Sequence, residues 1–388
     1  MASPRWRTRA RGAMALSCGP AQWGDLEAGL PPPAPQTVWD TSFDLSGPHP
    51  ATRPGTAVLY RDRNGWCPYS ERVWLGLMVK GCPFDEVLVD NQGSKPRFYY
   101  SMGGSGTPMI RWPGDTELTG ESLDILLEMD ERFPGGGGSL LPHDAGLREE
   151  AVELARSMGS MLPARCRPSS RAAFLYRGGS PVPRADFDDS LREIDGALRR
   201  HGGPFFMGPE PCIADVAFAP FLERFAVQLP LLHQGLRPRD SAAYPALAAW
   251  FAALERQIPG YAARVQGDAM SWAAVLSVAG YGNAGSVEAY RPPEEEGAPL
   301  GLTPEGHEIW VAYRDTRGGG AAADTPGAEA ARKLVTNRTA IIADIQRNLR
   351  AAPSEGEIDR ALRVAAAALL SGDVTSVTAG RGAGREAE

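Results

Sequence analysis

The sequence lacks three features that would assign a protein to a broad class at once. It contains no run approaching the roughly 18–20 apolar residues that cross a bilayer, so no membrane span is predicted. Lys and Arg (40) are fewer than Asp and Glu (47), and without a basic stripe nucleic acid is not an expected partner. The five cysteines have no paired spacing, which argues against a disulfide framework and for reduced thiols in an intracellular compartment.

The chain is long enough for several domains, and its first 54 residues differ from the rest. With 388 residues and 43% hydrophobic residues, it can bury the cores of roughly two or three domains. Four arginines precede the first acidic residue, Asp25; they are Arg5, Arg7, Arg9 and Arg11. Such an acid-free, Arg-rich start is typical of an organelle transit segment, and a disordered basic tail is the alternative. Residues 1–54, rich in Pro and Gly, are therefore left out of the predicted fold.

A cysteine stands at the junction between a predicted strand and a predicted helix. The strand covers residues 56–60, the helix covers 71–80, and Cys67-Pro68 lies between them. Pro is well tolerated at the first helical position, where its missing N–H has no partner to lose. The partial positive charge of a helix N-terminus favours thiolate over thiol, so Cys67 is the candidate nucleophile. The alternative is a buried, unreactive thiol.

The elements that follow complete a small α/β domain over residues 55–134. A second strand at 84–89 requires a parallel β-α-β unit with a right-handed crossover. After a polar loop, residues 106–112 form a strand with Pro108 at its entry, where no ladder hydrogen bond is lost. A short hairpin leads to Glu121-Ser122 and a helix from Leu123. The order β-α-β followed by β-β-α resembles the thioredoxin-like arrangement.

Helical periodicity continues from residue 143 onwards, after a boundary at the glycine-rich residues 133–138. Four helices are predicted within residues 143–265, which form an all-α domain; they cover 147–161, 186–200, 213–229 and 242–257. Residues 266–375 form an extension with a Pro- and Glu-rich linker, a short strand at 308–313 and two amphipathic helices at 326–349 and 355–370. The last dozen residues are predicted to be disordered.

Several ordered motifs together resemble the cysteine-type glutathione transferases over residues 56–265, roughly half of the chain. These motifs are Cys67-Pro68-Tyr69-Ser70, Thr107-Pro108, Glu121-Ser122 and residues 244–250. The resemblance implies a thioredoxin-like α/β domain followed by an all-α transferase domain, with the helical extension added. It also implies glutathione as the co-substrate and no metal.

The resemblance assigns binding roles to five residues. Thr107 and a cis-Pro108 would pair with the cysteinyl backbone of glutathione. At the helix start, Ser122 and backbone N–H groups suit the γ-glutamyl carboxylate, while Glu121 suits the ammonium group. Lys95 would lie near the glycyl carboxylate. The structural alternatives are an edge proline, a plain helix cap and a solvated lysine.

The residue three positions after Cys67 decides the expected chemistry. Ser70 cannot form an internal disulfide, so the expected reaction is monothiol exchange, in which glutathione resolves a mixed disulfide on Cys67. Ser70 is expected to hydrogen-bond the thiolate. Deglutathionylation of a thiol or disulfide substrate and reduction of dehydroascorbate are the expected activities. The alternatives are a conjugating transferase or reductive dehalogenase, and a non-catalytic ligand- or partner-binding protein.

Two further motifs bear on class and folding. The extension resembles the iota class of photosynthetic organisms, through residues 330–334, 359–363 and 367–370, which favours a chloroplast location over a cytoplasmic one. Family members are often homodimers, although the extension could cover the usual interface. Asp215, after Cys212, resembles the family's buried capping box, with Cys in place of the usual Ser or Thr.

Overall fold

The computed structural model describes residues 21–30, 36–133 (except 43 and 92), 137–164, 175, 182–258 (except 234), 260–267, 272, 310–311, 323–349 and 351–372. The chain divides into two compact units. One comprises residues 1–32, 299–301 and 323–388, and the other comprises residues 33–298 and 302–322.

The larger unit begins with a four-stranded sheet. Its strands are β1 (Val38–Asp40), β2 (Ala57–Asp62), β3 (Phe84–Val89) and β4 (Met109–Arg111), in the order β1-β3-β2-β4. The first three are parallel, and β4 runs antiparallel to β2. All six residues of β2 are buried, as expected of a central strand covered on both faces.

Strand β1 corrects the predicted start of the α/β domain at residue 55, because this strand lies within the first 54 residues. Val38 is buried, and residues 38–40 pair in parallel with 86–88 of β3. The segment is only three residues long and is surrounded by Pro and Gly, so its composition gave no strand signal. Residues 1–20, which hold the four arginines, lie outside the described part of the chain.

Two helices of this domain start close to the site residues. Helix α2 (Pro68–Lys80) has Cys67 as its N-cap and ends at Gly81, whose φ of 62° is the left-handed conformation favoured by glycine. A short helix α3 (Arg97–Ser101) follows β3, and α4 (Ser122–Arg132) follows β4. Helices α2 and α4 approach closely at Gly76, where an added Cβ would lie 2.4 Å from Leu126 Cδ2.

The all-α region follows the predicted pattern. It contains α5 (Ala145–Met161), α6 (Arg184–Leu198), α7 (Ile213–Leu232) and α8 (Pro245–Gln257), and a π-helical turn at Ala262–Gln266. Both halves of the capping box at the start of α7 are present, so Cys212 serves in place of Ser or Thr. Asp215 is buried and also accepts a hydrogen bond from Trp250 Nε1 at 2.7 Å. The thioredoxin-like domain followed by an all-α domain is thus confirmed.

The smaller unit joins the two ends of the chain. Helix α1 (Trp23–Gly29) packs with α9 (Pro326–Asn348) and α10 (Glu355–Ser371) around Leu26, Val335 and Ala366. Trp23 Nε1 donates to Asp359 Oδ1 at 2.7 Å, and Arg338 forms an ion pair with Glu27 at 2.7 Å. Helix α1 is a second correction, because it lies within residues 1–54, which were predicted to be a transit segment or a disordered tail and were left out of the fold. The helix buries Leu26 in the cluster that contains Val335 and Ala366.

Parts of the extension differ from the prediction or lie outside the described residues. Trp310 and Val311 are helical where a strand was predicted, and they are the only described residues of that segment. The predicted linker at 291–301 and the last residues after 372 are not described. Within the described ranges, no helix combines the length and apolar character needed to cross a membrane.

Candidate active site

Cys67 lies at the N-terminus of α2, partly exposed, with its sulfur directed at the neighbouring loop. The thiol donates to the backbone carbonyl oxygen of Thr107, with a sulfur–oxygen distance of 3.5 Å. Ser70, one turn into α2, is buried, and its hydroxyl has no hydrogen-bond partner among the described residues. This hydroxyl is therefore available to a thiolate on Cys67.

The protonation of Cys67 differs from the sequence prediction of a favoured thiolate. Burial raises the pKa of the Cys67 thiol, and the negative charge of Asp62 raises it further. Contacts with Ser70 and Thr107 act in the opposite direction and lower the pKa. Desolvation, which penalises the charged form of the sulfur, is the largest cause of the raised pKa.

The loop before β4 places Thr107 and Pro108 beside the sulfur. The Thr107–Pro108 peptide bond is cis, as the family resemblance implied. Tyr99 holds this loop by donating its hydroxyl to the Gly106 carbonyl at 2.5 Å. Asn91 Nδ2 donates to Thr107 Oγ1 at 2.5 Å. Sequence reasoning missed Asn91, because polar loop residues carry no local sign of such a contact.

Lys95 follows Asn91 in the same loop and is partly exposed. Its backbone N–H donates to the Tyr100 hydroxyl at 3.4 Å. The structure therefore places the Lys95 loop next to Thr107 through Asn91. It gives no direct contact between the Lys95 side chain and the other site residues.

Glu121 and Ser122 occupy the start of α4. Glu121, the N-cap, has a φ of 59°, which is uncommon for a residue with a side chain and costs on the order of 1–3 kcal/mol. Such strained backbones are often found at ligand sites. Ser122 is buried, and its hydroxyl accepts a hydrogen bond from Arg72 Nη1 at 3.4 Å. Arg72 therefore connects the N-terminal turn of α4 to α2.

Arg72 is a buried cation that sequence reasoning missed. Its side chain also donates to the Ala217 carbonyl at 3.0 Å and to the Met158 sulfur at 3.2 Å. Burial lowers the pKa of Arg72 to about 10, while negative charge on Tyr69 and Cys67 opposes this change. The described residues supply no carboxylate within ion-pair distance of it. Only the folded chain reveals this charge, because Ala217 lies 145 residues away in sequence.

Two buried acidic side chains, Asp62 and Glu71, stand close to Cys67 in the sequence. Asp62, at the end of β2, accepts a hydrogen bond from the Trp66 backbone N–H at 2.6 Å. Glu71 forms a buried ion pair with Arg224 of α7 at 2.7 Å. Arg224 Nη2 also donates to the Trp66 carbonyl at 2.9 Å. Arg224 therefore links the all-α domain to the peptide that precedes Cys67.

The buried Glu71 is expected to make the free energy of unfolding depend on pH. Burial raises the pKa of Glu71 from 4.5 to about 7, although the ion pair with Arg224 lowers it. Between these two values the folded chain binds more protons than the unfolded chain, so this group's contribution to stability falls as pH rises. We expect the difference in unfolding free energy between wild type and Glu71→Gln to fall by on the order of 3 kcal/mol from pH 4.5 to 7. Urea unfolding at a series of pH values measures it, and a constant difference would contradict the assignment.

The part of the chain that the structure describes contains no group of three or more His, Cys, Asp or Glu side chains arranged to hold a metal ion. Cys82 and Cys212 are buried. Burial raises the pKa of both thiols, which agrees with a structural role for each.

Comparison with known proteins gives a consistent family. The model of the glutathione S-transferase N-terminal domain matches residues 66–132, and that of the C-terminal domain matches residues 184–253. Protein IN2-1 of Zea mays is 31% identical over 217 residues, covering 55% of this chain and 79% of that protein. Glutathione S-transferase L1 of Arabidopsis thaliana is 28% identical over 218 residues, covering 56% and 85%. Glutathione S-transferase DHAR2 of the same plant is 26% identical over 174 residues, covering 45% and 73%.

The fold and these matches together define the class of protein. The chain belongs to the glutathione S-transferase family. It is an enzyme of that family, for which glutathione is the co-substrate.

Proposed function

We propose that the protein transfers glutathione between thiols through a single nucleophilic cysteine, Cys67. The observation that carries the proposal is the position of its sulfur, at the N-terminus of α2 and 3.5 Å from the Thr107 carbonyl beside cis-Pro108. A backbone carbonyl at this place suits the antiparallel pairing of an extended peptide such as glutathione. A cysteine here supports the cysteine-type class within the family.

Neither of the other two described cysteines is placed to resolve a disulfide on Cys67, which supports monothiol exchange. Cys82 follows the far end of the 13-residue helix α2, about 20 Å along the axis at 1.5 Å per residue. Cys212 is the N-cap of α7 and is committed to its capping box. Cys18 and Cys166 lie outside the described residues. The mixed disulfide on Cys67 is therefore proposed to be resolved by a second glutathione.

The reaction has two exchange steps. The Cys67 thiolate attacks the glutathione sulfur of a mixed disulfide, forms a disulfide with glutathione, and releases the substrate as a thiol after it takes up a proton. A second glutathione, as its thiolate, then attacks the glutathione sulfur of this disulfide. Oxidised glutathione leaves and the Cys67 thiolate is restored. No other reductant is needed.

The residues around the start of α4 are proposed to hold the γ-glutamyl end of glutathione. Ser122 and the free backbone N–H groups of the first turn suit the carboxylate, and Glu121 suits the ammonium group. The strained φ of Glu121 supports a binding role, because the strain orients the start of the helix. Thr107 and Pro108 are proposed to bind the cysteinyl unit, and Lys95 the glycyl carboxylate.

The substrate class follows from the cysteine. In the proposed reaction the attacking sulfur belongs to Cys67 and not to a bound glutathione. A disulfide or a dehydroascorbate-type electrophile therefore suits the site better than conjugation of glutathione to an aromatic halide. The similarity to a protein named DHAR2 supports reductase chemistry of this kind. The iota-like extension, a plastid location and a homodimer stay predictions.

Mass spectrometry after exposure to oxidised glutathione tests the site. Among the three described cysteines, we expect a glutathione adduct only on the peptide that contains Cys67, because this thiol is the partly exposed one of the three. Cys82 and Cys212 are expected to stay unmodified in the folded protein, and denaturing the protein first serves as the positive control for both. An adduct on either of them with Cys67 unmodified would overturn the site assignment.

A further inference from the structure

Arg72 is a buried cation that no carboxylate among the described residues neutralises. Its exposed fraction is 4%. Its hydrogen bonds go to the Ala217 carbonyl, the Met158 sulfur and the Ser122 hydroxyl, and all three partners are uncharged. Burial lowers the pKa of Arg72 to about 10, because desolvation penalises the cation. A buried cation without a counter-charge is unfavourable, and a bound anion would remove that cost.

Aromatic rings hold the guanidinium group in place without neutralising it. The Arg72 Cζ lies 5.3 Å from the ring centroid of Tyr69 and 5.0 Å from that of Phe221, within the range of cation–π contacts. The carboxylate of the neighbouring Glu71 is occupied by Arg224, which donates to its two oxygens at 2.7 and 3.3 Å. The charge of Arg72 is thus fixed in position and remains uncompensated within the described part of the chain.

The hydroxyl of Ser122 connects Arg72 to the start of α4. Arg72 Nη1 donates to Ser122 Oγ at 3.4 Å, so this oxygen acts as the acceptor of that contact. A serine hydroxyl also carries one O–H donor, and no described residue accepts a hydrogen bond from it. A hydrogen bond from this O–H to an anion is charge-assisted, and the guanidinium group behind the oxygen strengthens it further.

The first turn of α4 is open to an anion. Its N-cap, Glu121, is exposed and makes no side-chain capping hydrogen bond. The first N–H groups of an α-helix have no acceptor within the helix, so those of α4 are available to a ligand. A carboxylate oxygen that accepts the Ser122 O–H would lie at most about 6 Å from Arg72 Nη1, since an ordinary hydrogen bond is added to the 3.4 Å contact. At this distance, in a site shielded from water, opposite charges attract strongly.

We propose that Arg72 is the counter-charge of the α-carboxylate at the γ-glutamyl end of glutathione, and that it acts through the Ser122 hydroxyl. The inference rests on the proposed function, which puts that carboxylate at the start of α4. Arg72 is therefore a positioning residue that selects the ligand by charge. A carboxylate completes an ion pair across Ser122, whereas a neutral group of the same shape leaves the cation uncompensated.

Three unreactive probes test this selection by charge. They are S-methylglutathione, its analogue with a carboxamide in place of the γ-glutamyl α-carboxylate, and its analogue with a carboxamide in place of the glycyl carboxylate. Isothermal titration calorimetry on the full chain measures Kd for each. We expect the wild-type protein to bind the α-carboxamide at least tenfold more weakly than S-methylglutathione, because the buried cation then has no partner.

Arg72→Met removes the charge and keeps a side chain of similar length. We expect this variant to bind S-methylglutathione at least tenfold more weakly than the wild type does. Its further loss on the α-carboxamide should be at least threefold smaller than the wild-type loss, because the cation that distinguishes the two probes is gone. The loss on the glycyl carboxamide should be the same in both proteins. Lost packing alone would weaken all three probes alike.

Arg72→Lys keeps the charge and is expected to bind S-methylglutathione more tightly than Arg72→Met. If Arg72→Met fails to fold, Arg72→Gln replaces it with the same thresholds, and the wild-type comparison needs no variant. A wild-type loss on the α-carboxamide below tenfold would overturn the role of Arg72 and leave the proposed function intact. The same conclusion would follow if the wild type and the neutral variant lost affinity for the α-carboxamide by factors within threefold of each other. A wild-type protein that binds none of the three probes would overturn the proposed function, and this role with it.

Discussion

Replacing Cys67 by serine is expected to reduce glutathione-dependent turnover of a disulfide substrate by at least about 10³-fold, to the uncatalysed rate. A serine hydroxyl has a similar size and occupies the same helix cap, so the fold should be retained. It cannot form or leave from a disulfide, so both exchange steps are lost. Turnover of hydroxyethyl disulfide, coupled to the reduction of oxidised glutathione, measures the effect.

Cys82→Ser is the matched control for this loss. Cys82 is also near one end of α2 but is buried and remote from the Thr107 loop, so its variant should keep wild-type turnover. A Cys67→Ser protein that retains a tenth of the wild-type rate would show that another group is the nucleophile. A Cys82→Ser protein that is folded but inactive would likewise contradict the assignment of Cys67 as the one nucleophile.

Replacing Arg224 by methionine is expected to destabilise the folded chain by about 3–5 kcal/mol, because it leaves Glu71 buried without its partner. The Arg224 side chain is only 1% exposed, and its two terminal nitrogens contact Glu71, Trp66 and Pro220. Loss of the bond to the Trp66 carbonyl should also loosen the peptide before Cys67, so turnover should fall together with stability. Urea unfolding at pH 7.5 measures the stability change.

A second substitution distinguishes the buried charge from lost packing. In the double variant Arg224→Met with Glu71→Gln, no unpaired charge remains, so most of the stability should return. Arg192→Met removes an exposed arginine that pairs with Asp188 and is expected to leave the unfolding midpoint unchanged. A double variant as unstable as Arg224→Met would show that packing, and not the buried carboxylate, causes the loss.

The local parts of the site could be predicted from the sequence, and the buried charges around it could not. Cys67 and Pro68 mark a helix start by adjacency alone, and the family resemblance at Thr107-Pro108 led to the expected cis bond. Arg224 reaches Glu71 across 153 residues, so neither residue signals the other in the sequence. The prediction that the thiolate of Cys67 is favoured was wrong for the same reason. Desolvation raises the pKa of the thiol, and it depends on which side chains pack over the sulfur.

The local composition of the sequence also limited how much of the fold could be predicted. The long amphipathic helices α9 and α10 were readable from their spacing, because many turns repeat the same pattern. Strand β1 has three residues and helix α1 has seven, which is too short for a period to be recognised among Pro and Gly. Both are stabilised by partners distant in sequence, β3 in one case and the two C-terminal helices in the other.

The union of α1 with α9 and α10 has a consequence for how the chain is made. A seven-residue helix is not stable alone in water, and the partners of α1 lie about 300 residues further on. During synthesis from the N-terminus, α1 therefore stays without its partners until residues up to Ser371 have been made. The smaller unit then forms only after the residues of the larger unit have been synthesised.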